Sequence, residues 1–258
     1  MAKKWARFPH ADKAYVYDAA ALKKNWARLH RGDCEPLPKD QGALDAWQAF
    51  HAGDFSRAVE AGLAAGDAGV NAAIKAQVVH GHYVEASDKA KIALFEEAAG
   101  WADARRAKHA KDANAHYLYA FAMGRYSQGI SVAKALAQGL GGKIKEALLT
   151  AMKLEPKHAD ANIAYGAYQA EVIDKVGGIV AGMTYGAKKD SAVEHFQKAL
   201  KLNPDSAIAR IEYANGLIML FGKARLDEAT RLYEQAAACK PADAMERLDV
   251  ERAKAELE

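Results

Sequence analysis

Apolar residues recur along this chain at helical spacing, and no stretch alternates between apolar and polar at every second position. Near the N-terminus, Tyr15, Ala19, Leu22, Trp26 and Leu29 follow one another in steps of 4, 3, 4 and 3. Such steps place the side chains on one face of a helix. Since no run has the period of a half-buried strand, the pattern predicts an all-α fold with essentially no sheet.

One phrase of small and large apolar residues occurs three times. The stretches KDANAHYLYAFA, KHADANIAYGAY and DSAIARIEYANG share Ala-x-Ala-x-[Tyr/Ile]-x-Tyr-[Ala/Gly], and their common tyrosines are Tyr119, Tyr165 and Tyr213, 46 and 48 residues apart. A repeat of this length is typical of a helical array, in which each unit buries its apolar face against its neighbours.

A second phrase follows each repeat and ends in a proline. It is seen in EALLTAMKLEP, EHFQKALKLNP and EATRLYEQAAACKP, which end at Pro156, Pro204 and Pro241. A proline there cannot continue a helix and pushes the preceding residue out of helical geometry. The order of small and large residues in this phrase resembles the second helix of the tetratricopeptide repeat (TPR). The resemblance implies a right-handed solenoid of antiparallel helix pairs.

Two units depart from the standard repeat because they carry insertions between their paired helices. These inserts are SQGISVAKALAQGLGG and DKVGGIVAGMTYGAKK, and each is interpreted as a short extra helix. Such insertions are similar to those of the regulator-of-microtubule-dynamics proteins and of the T-component proteins of TRAP transporters. The resemblance implies an interaction or ligand-binding scaffold. Microtubule binding is not carried over, since no residue pattern here indicates it.

The organisation that follows is a basic N-terminal helix, near 11–31, and a linker, together covering residues 1–41. A single solenoid occupies residues 42–258 and ends in a polar capping helix from Ala242. Its expected repeat units span the ranges 42–66, 69–110, 111–156, 157–204 and 205–241. A terminal helix rich in Glu, Arg and Asp suits a cap, which must show a polar face to water.

Composition agrees with a soluble globular protein, since 51% of the residues are hydrophobic and 27% are charged. The sequence shows no secretory signal and no apolar stretch long enough to cross a bilayer, so a cytoplasmic location is expected; a leader removed earlier would leave the same sequence. The net charge is +3, with basic residues concentrated in the first 31 positions. We interpret that segment as a helix with a solvated basic face rather than as a nucleic-acid-binding arm, because its apolar stripe can dock on the rest of the protein.

No motif supports catalysis, a metal or a cofactor. Cys34 and Cys239 form no CxxC pattern, and His80 and His82 point to different sides of a helix. The stretch GLGGK resembles part of a phosphate loop but lacks its Ser or Thr and its preceding strand, so a turn between helices is expected. We therefore expect a protein that is not an enzyme and needs no cofactor.

Two functions remain open. In the first, the protein is an adaptor that binds a protein or peptide partner in its concave groove. The groove candidates are Asn162, Ala167, Glu171, Arg210, Asn215 and Met219. In the alternative, the inserts close a pocket for a small hydrophobic ligand, and the protein is an accessory of a transport system. The insert-pocket candidates are Ile179, Val180, Met183 and Tyr185. The sequence leaves a homo-oligomer open in either case.

Overall fold

The computed structural model describes residues 5–258, and this range is all-α, with no strand. Lys3 and Lys4 of the basic N-terminal segment lie outside the described residues. The helices of the first half are α1 (Ala19–Leu29), α2 (Gln41–His51), α3 (Phe55–Ala64), α4 (Val70–Tyr83), α5 (Asp88–Lys108) and α6 (Ala113–Gln128). Those of the second half are α7 (Val132–Ala137), α8 (Leu140–Leu154), α9 (Ala159–Val176), α10 (Gly178–Val180), α11 (Lys189–Leu202), α12 (Ala207–Phe221), α13 (Leu226–Ala237) and α14 (Ala244–Ala255).

Helix boundaries follow from local chemistry. The side chain of Asp112 caps α6 by accepting a hydrogen bond from the backbone N–H of Ala115 at 3.1 Å. Ser206 caps α12 in the same way through the N–H of Ala209, also at 3.1 Å. Such caps satisfy backbone donors that the first helical turn leaves free.

Neighbouring helices form the pairs α2/α3, α4/α5, α6/α8, α9/α11 and α12/α13, which stack one after another. The TPR-like solenoid expected from the repeat is thereby confirmed. Phe196 on α11 is completely buried, and its ring lies against Gly166 and Gly216. A Cβ atom on either glycine would come within 3.0 Å of that ring, so the two glycines let consecutive pairs approach closely. The repeat tyrosines Tyr165 and Tyr213 are buried as well.

The two inserted short helices are also confirmed. The first insert forms α7, between α6 and α8. The second forms α10 and then a π-helical turn over Ala181–Tyr185, between α9 and α11. Gly177 and Gly186 flank this second insert with φ values of 79° and 66°, a left-handed region that glycine enters without steric cost.

The N-terminal helix is shorter than the range 11–31 that its apolar stripe predicts. Residues Lys13–Tyr15 form a 3-10 turn, and α1 begins only after Asp18, whose side chain caps the N–H of Ala21 at 2.7 Å. The segment 32–41, expected as a linker, lies against the body of the protein. Two of its charged residues, Asp33 and Glu35, are buried there.

The two ends of the described chain meet. The C-terminal helix α14 packs on α12 and α13 and also returns to α2. Leu248 of α14 is buried in one cluster with apolar residues of α1, α2 and α3. The hydroxyl of Tyr17 donates to the carbonyl oxygen of Ala242 at 2.7 Å, and Arg28 forms an ion pair with Glu246 at 2.6 Å. The helix expected as a polar cap therefore also joins the last repeat to the first helices.

Candidate functional site

The two inserts lie side by side. The ammonium group of Lys145, just after the first insert, donates to the carbonyl oxygen of Tyr185 in the second insert at 2.6 Å. The ring of Tyr185 lies over Gly141, where an added Cβ atom would come within 2.9 Å of it. Gly141 therefore makes room for Tyr185, and the two inserts form one structural unit.

A cavity of about 540 Å³ opens between the inserts, and we call it the insert cavity. Its walls come from both inserts and from α6, α8, α9 and α12. They consist of Ser127, Gln128, Ile130, Ser131, Val132, Ala135, Leu136, Leu140, Gly141, Ile144, Tyr168, Glu171, Val172, Asp174, Lys175, Val176, Tyr185 and Met219. Most of these side chains are apolar, so the cavity suits an apolar occupant.

A second, smaller cavity of about 110 Å³ lies deeper among the helices, and we call it the interior cavity. It is lined by aromatic residues such as Tyr117 and Phe121, and on one side by Met245 and Asp249 of the returning C-terminal helix. The two cavities share the wall residues Ser127, Gln128, Ile144, Tyr168 and Glu171. They are therefore neighbouring compartments, and the insert cavity is the one placed between the inserts.

Four of the five shared wall residues carry polar groups, and those of Ser127, Gln128 and Glu171 are hydrogen-bonded within the protein. The hydroxyl of Tyr168 is buried and has no hydrogen-bond partner within the described part of the chain. Burial raises the pKa of Tyr168, so this hydroxyl keeps its proton at neutral pH. Glu171 accepts a hydrogen bond from the side chain of Gln128, and burial raises the pKa of its carboxyl. Among these four residues, Tyr168 is the one whose polar group makes no hydrogen bond within residues 5–258, so it can bind a ligand without losing a contact.

Several ionisable side chains line the interior cavity. Arg125 pairs with Glu212 at 3.2 Å. Tyr83 donates a hydrogen bond to Asp249 of α14, and burial raises the pKa of that carboxyl to about 8. The contact between Tyr83 and Asp249 ties α14 to α4 beside the interior cavity.

The groove candidates from the sequence are not all brought together. Ala167 lines the interior cavity, Glu171 lines both cavities, and Met219 lines the insert cavity. Asn162, by contrast, is completely buried, and its amide is engaged by the carbonyl of His158 at 2.8 Å and by the ring of His195 at 2.9 Å.

The remaining two groove candidates line neither cavity. Arg210 donates to the backbone oxygen of Ser206 at 2.9 Å, and Asn215 accepts a hydrogen bond from Tyr233. Both side chains therefore make contacts within the solenoid.

The insert-pocket candidates also divide. Tyr185 lines the insert cavity, whereas Ile179, Val180 and Met183 project into solvent and line neither cavity. Tyr168 and Phe121 lie within the repeated phrases KHADANIAYGAY and KDANAHYLYAFA, but neither is among the candidates that the sequence indicates. Met245 and Asp249 carry no local signal at all, because their role depends on the return of α14.

The weaker motifs take ordinary structural roles. In GLGGK, Gly139 precedes α8 with a φ of 64°, and the other four residues form the first turn of that helix. The ring of His80 stacks on Trp5, with centroids 4.0 Å apart. Among residues 5–258, no group of three or more His, Cys, Asp or Glu side chains could hold a metal ion.

A buried polar network lies where the chain ends meet, and we call it the seam: residues 30–35 and 243–249 with the helix residues they contact. Lys75 of α4 forms an ion pair with Asp33 at 2.6 Å, and this carboxylate raises the pKa of Lys75 despite burial. His30 contacts Asp33 at 2.9 Å, and His51 contacts Asp243 at 2.7 Å. The seam thus gives the buried ammonium of Lys75 an opposite charge, and gives each of the two histidines a carboxylate as hydrogen-bond partner.

Other seam groups are held neutral. Glu35 accepts a hydrogen bond from Asn114 at 2.6 Å, and burial, reinforced by Asp33 and Asp112, raises the pKa of Glu35 to about 8. Burial lowers the pKa of His158 to about 4. Such groups lie in their uncharged forms near neutral pH.

The fold and the cavities define an all-helical TPR-type solenoid, a class of fold that suggests a protein-interaction scaffold. A thermophilic TPR protein of Thermus thermophilus, TTC0263, superposes with a TM-score of 0.56 at 16% identity, covering 81% of this chain and 95% of that chain. The MamA protein is similar over 84% of this chain and 93% of its own, at 19% identity and a TM-score of 0.38.

The sequence model of the family described as Regulator of microtubule dynamics protein 1-3 matches residues 72–258. The chain belongs to this family. A search of curated proteins gives no match. No helix within residues 5–258 is long and apolar enough to cross a membrane.

Proposed function

We propose that the protein is a non-catalytic scaffold that binds an apolar segment of a partner polypeptide in the insert cavity. The observation that carries the proposal is the cavity itself, which lies between two inserts that the standard repeat lacks. Its volume of about 540 Å³ falls within the range of roughly 300–1,000 Å³ that is typical of ligand pockets.

On one side of the solenoid, α14 restricts access to the interior cavity. Met245 and Asp249 cover the interior cavity from that side. A partner would therefore approach between the inserts, where Leu136 of the first and Tyr185 of the second both line the insert cavity.

The test is site-specific photo-crosslinking in the host cell. A benzophenone amino acid at position 136, on the cavity wall, should give a discrete polypeptide adduct. The matched control is position 63, since Leu63 is similarly exposed on α3 and lines no part of the insert cavity. The substitution Met219→Trp, which fills the cavity from α12, should abolish the adduct at position 136. Equal crosslinking at both positions, or an adduct that survives Met219→Trp, would contradict the proposal.

A second candidate is a small hydrophobic ligand, as for an accessory protein of a transport system. Two observations favour it: the interior cavity of about 110 Å³ adjoins the insert cavity, and the Tyr168 hydroxyl at their junction lacks a partner in the described chain. A ligand with one polar atom would satisfy that hydroxyl. Native mass spectrometry of gently purified protein should then show an added mass on the order of a few hundred daltons, as for a drug-sized ligand. A bare protein species would contradict this candidate.

A further inference from the structure

The second insert presents large apolar side chains to solvent. Ile179 is 81% exposed and Met183 is 85% exposed, and Val180 between them is half exposed. None of the three lines a cavity, so the occupant of the insert cavity would leave them in water. Exposed apolar side chains that cluster on one short segment indicate a surface that another phase or partner covers.

The first insert adds to this apolar surface. Val132 and Leu136 of α7 are both about half exposed. They belong to the same structural unit as the second insert, because both line the insert cavity together with Tyr185.

The same two segments are rich in lysine. Residues 129–145 and 174–190 carry six lysines and two aspartates, a net charge of +4, against +3 for the whole chain. The lysines are Lys134, Lys143, Lys145, Lys175, Lys188 and Lys189. The first 31 residues carry a larger net charge of +6. In the two insert segments, however, the lysines lie among exposed apolar side chains.

The lysines of these two segments lie at different positions around the inserts. Lys134 lies over the ring of Tyr126 at 5.8 Å, and Lys189 lies over the ring of Phe221 at 5.2 Å. Lys175 lines the mouth of the insert cavity. The ammonium groups of Lys145 and Lys189 donate to the carbonyl oxygens of Tyr185 and Leu220. The exposed lysines Lys134, Lys143 and Lys188 can follow apolar surface with their stems while their charged ends reach outward.

We propose that the insert face, defined as residues 129–145 and 174–190, docks on an anionic membrane surface. The apolar side chains would enter the boundary between headgroups and acyl chains, and the surrounding lysines would contact the anionic headgroups. A fluid bilayer needs no shape-matched pocket, which suits side chains that project from a short turn. The described chain has no spanning helix, so the association is peripheral.

This proposal goes beyond the proposed function and does not rest on it. Ile179 and Met183 of the insert face line no cavity, and Met219 of the cavity wall lies outside the insert face. Met219→Trp should therefore block the cavity and leave membrane docking unchanged, so the two proposals can fail separately.

The experiment is co-sedimentation of the protein with vesicles of phosphatidylcholine alone and of phosphatidylcholine mixed with phosphatidylglycerol. We expect binding to the anionic vesicles that weakens with added salt, and at least about tenfold weaker partitioning to phosphatidylcholine alone, because each lysine near an anionic surface contributes to attraction. Equal partitioning to both vesicles, or no binding to either, would overturn the proposal.

Two pairs of substitutions locate the surface. Ile179→Ser with Met183→Ser should weaken anionic vesicle binding about tenfold, because the apolar contact is lost. Lys134→Glu with Lys143→Glu should weaken it at least as much, whereas Lys23→Glu with Lys24→Glu, an equal charge change on exposed α1 residues, should leave it unchanged. If the α1 pair abolishes binding and the insert pairs do not, the N-terminal segment is the membrane site and the proposal is wrong.

Discussion

Folded proteins usually bury apolar side chains and expose charged ones, and the seam and the insert face each depart from one half of that rule. The seam buries charged groups such as Lys75 and Asp33, and the insert face exposes apolar groups such as Ile179 and Met183. At the seam, the buried ammonium group of Lys75 lies 2.6 Å from the carboxylate of Asp33, so its charge is compensated within the protein. At the insert face nothing within the described chain covers the apolar side chains. A buried charge with an internal partner indicates a structural role for the seam. Apolar side chains without an internal partner are the reason why the insert face is proposed as a binding surface.

Breaking the central pair of the seam should have the largest effect on stability. Lys75→Met leaves the carboxylate of Asp33 buried beside His30 without its cation, and should lower the free energy of unfolding by about 3–5 kcal/mol. Urea denaturation measures this change. Lys91→Met, on a lysine that pairs only with an exposed aspartate, is the control and should change stability by less than about 1 kcal/mol.

Adding Asp33→Asn to Lys75→Met tests whether the lost pair is the cause. The double variant should recover part of the loss, because the uncompensated charge is gone. A loss of less than about 1 kcal/mol in Lys75→Met alone would show that the seam is not a structural necessity.

The return of α14 should have the next largest effect. Leu248→Ala removes a side chain buried against α1, α2 and α3, and should cost about 2–4 kcal/mol of unfolding free energy. Leu257→Ala makes the same chemical change at an exposed position near the end of the chain and should be close to neutral. Equal effects of the two substitutions would show that α14 is not held against the first helices.

The pH dependence of stability should show the neutral carboxyls of the seam. Glu35 and Asp249 have pKa values raised to about 8 in the folded protein, well above the ordinary values of 4.5 and 3.8. Between those values and pH 8 the folded protein holds these protons and the unfolded chain does not. Their contribution to stability is therefore present at low pH and is lost as pH rises through about 8.

The histidines of the seam act in a different pH window. His30 and His158 have pKa values lowered to about 4 from 6.5, so their effect is a loss of stability as pH falls below 6.5. From pH 6.5 to 8 the carboxyls therefore dominate, and stability should fall by roughly 1–2 kcal/mol for each of them. Glu35→Gln should reduce that slope, as measured by urea denaturation at each pH. An unchanged slope in this variant would exclude Glu35 as the cause.

The insert face should show the smallest effect on stability. Ile179→Ser with Met183→Ser should change the free energy of unfolding by less than about 0.5 kcal/mol, since both side chains are already in water when the protein is folded. Differential scanning calorimetry measures this. A large loss of stability would mean that the two residues support the fold, and the comparison with the seam would no longer hold.

The repeat body could be predicted from sequence because its signals are local. The spacing of Phe196, Ala199 and Pro204 already indicates a helix that packs closely and then ends. The seam could not be predicted in this way, since Lys75 and Asp33 are 42 residues apart and His51 and Asp243 are 192 apart. In neither pair does the sequence around one residue indicate the other residue as its partner.

The insert cavity was predicted only in part. The sequence indicated two extra helices, and Tyr185 does line the cavity between them. It could not separate Tyr185 from Ile179 and Met183, because the direction of a short glycine-flanked turn depends on backbone angles at Gly177 and Gly186. Tyr168 was not singled out because its free hydroxyl is visible only once the neighbouring helices are in place.

The central claim is that the insert cavity accepts an apolar ligand. Fluorescence titration with the apolar anionic dye 1-anilinonaphthalene-8-sulfonate tests it without knowledge of the natural partner. We expect one saturable site in the natural protein, its loss in the cavity-filling variant Met219→Trp, and its retention when Ile179 and Met183 are changed to serine. Absence of a saturable site, or equal dye binding by Met219→Trp, would contradict the account.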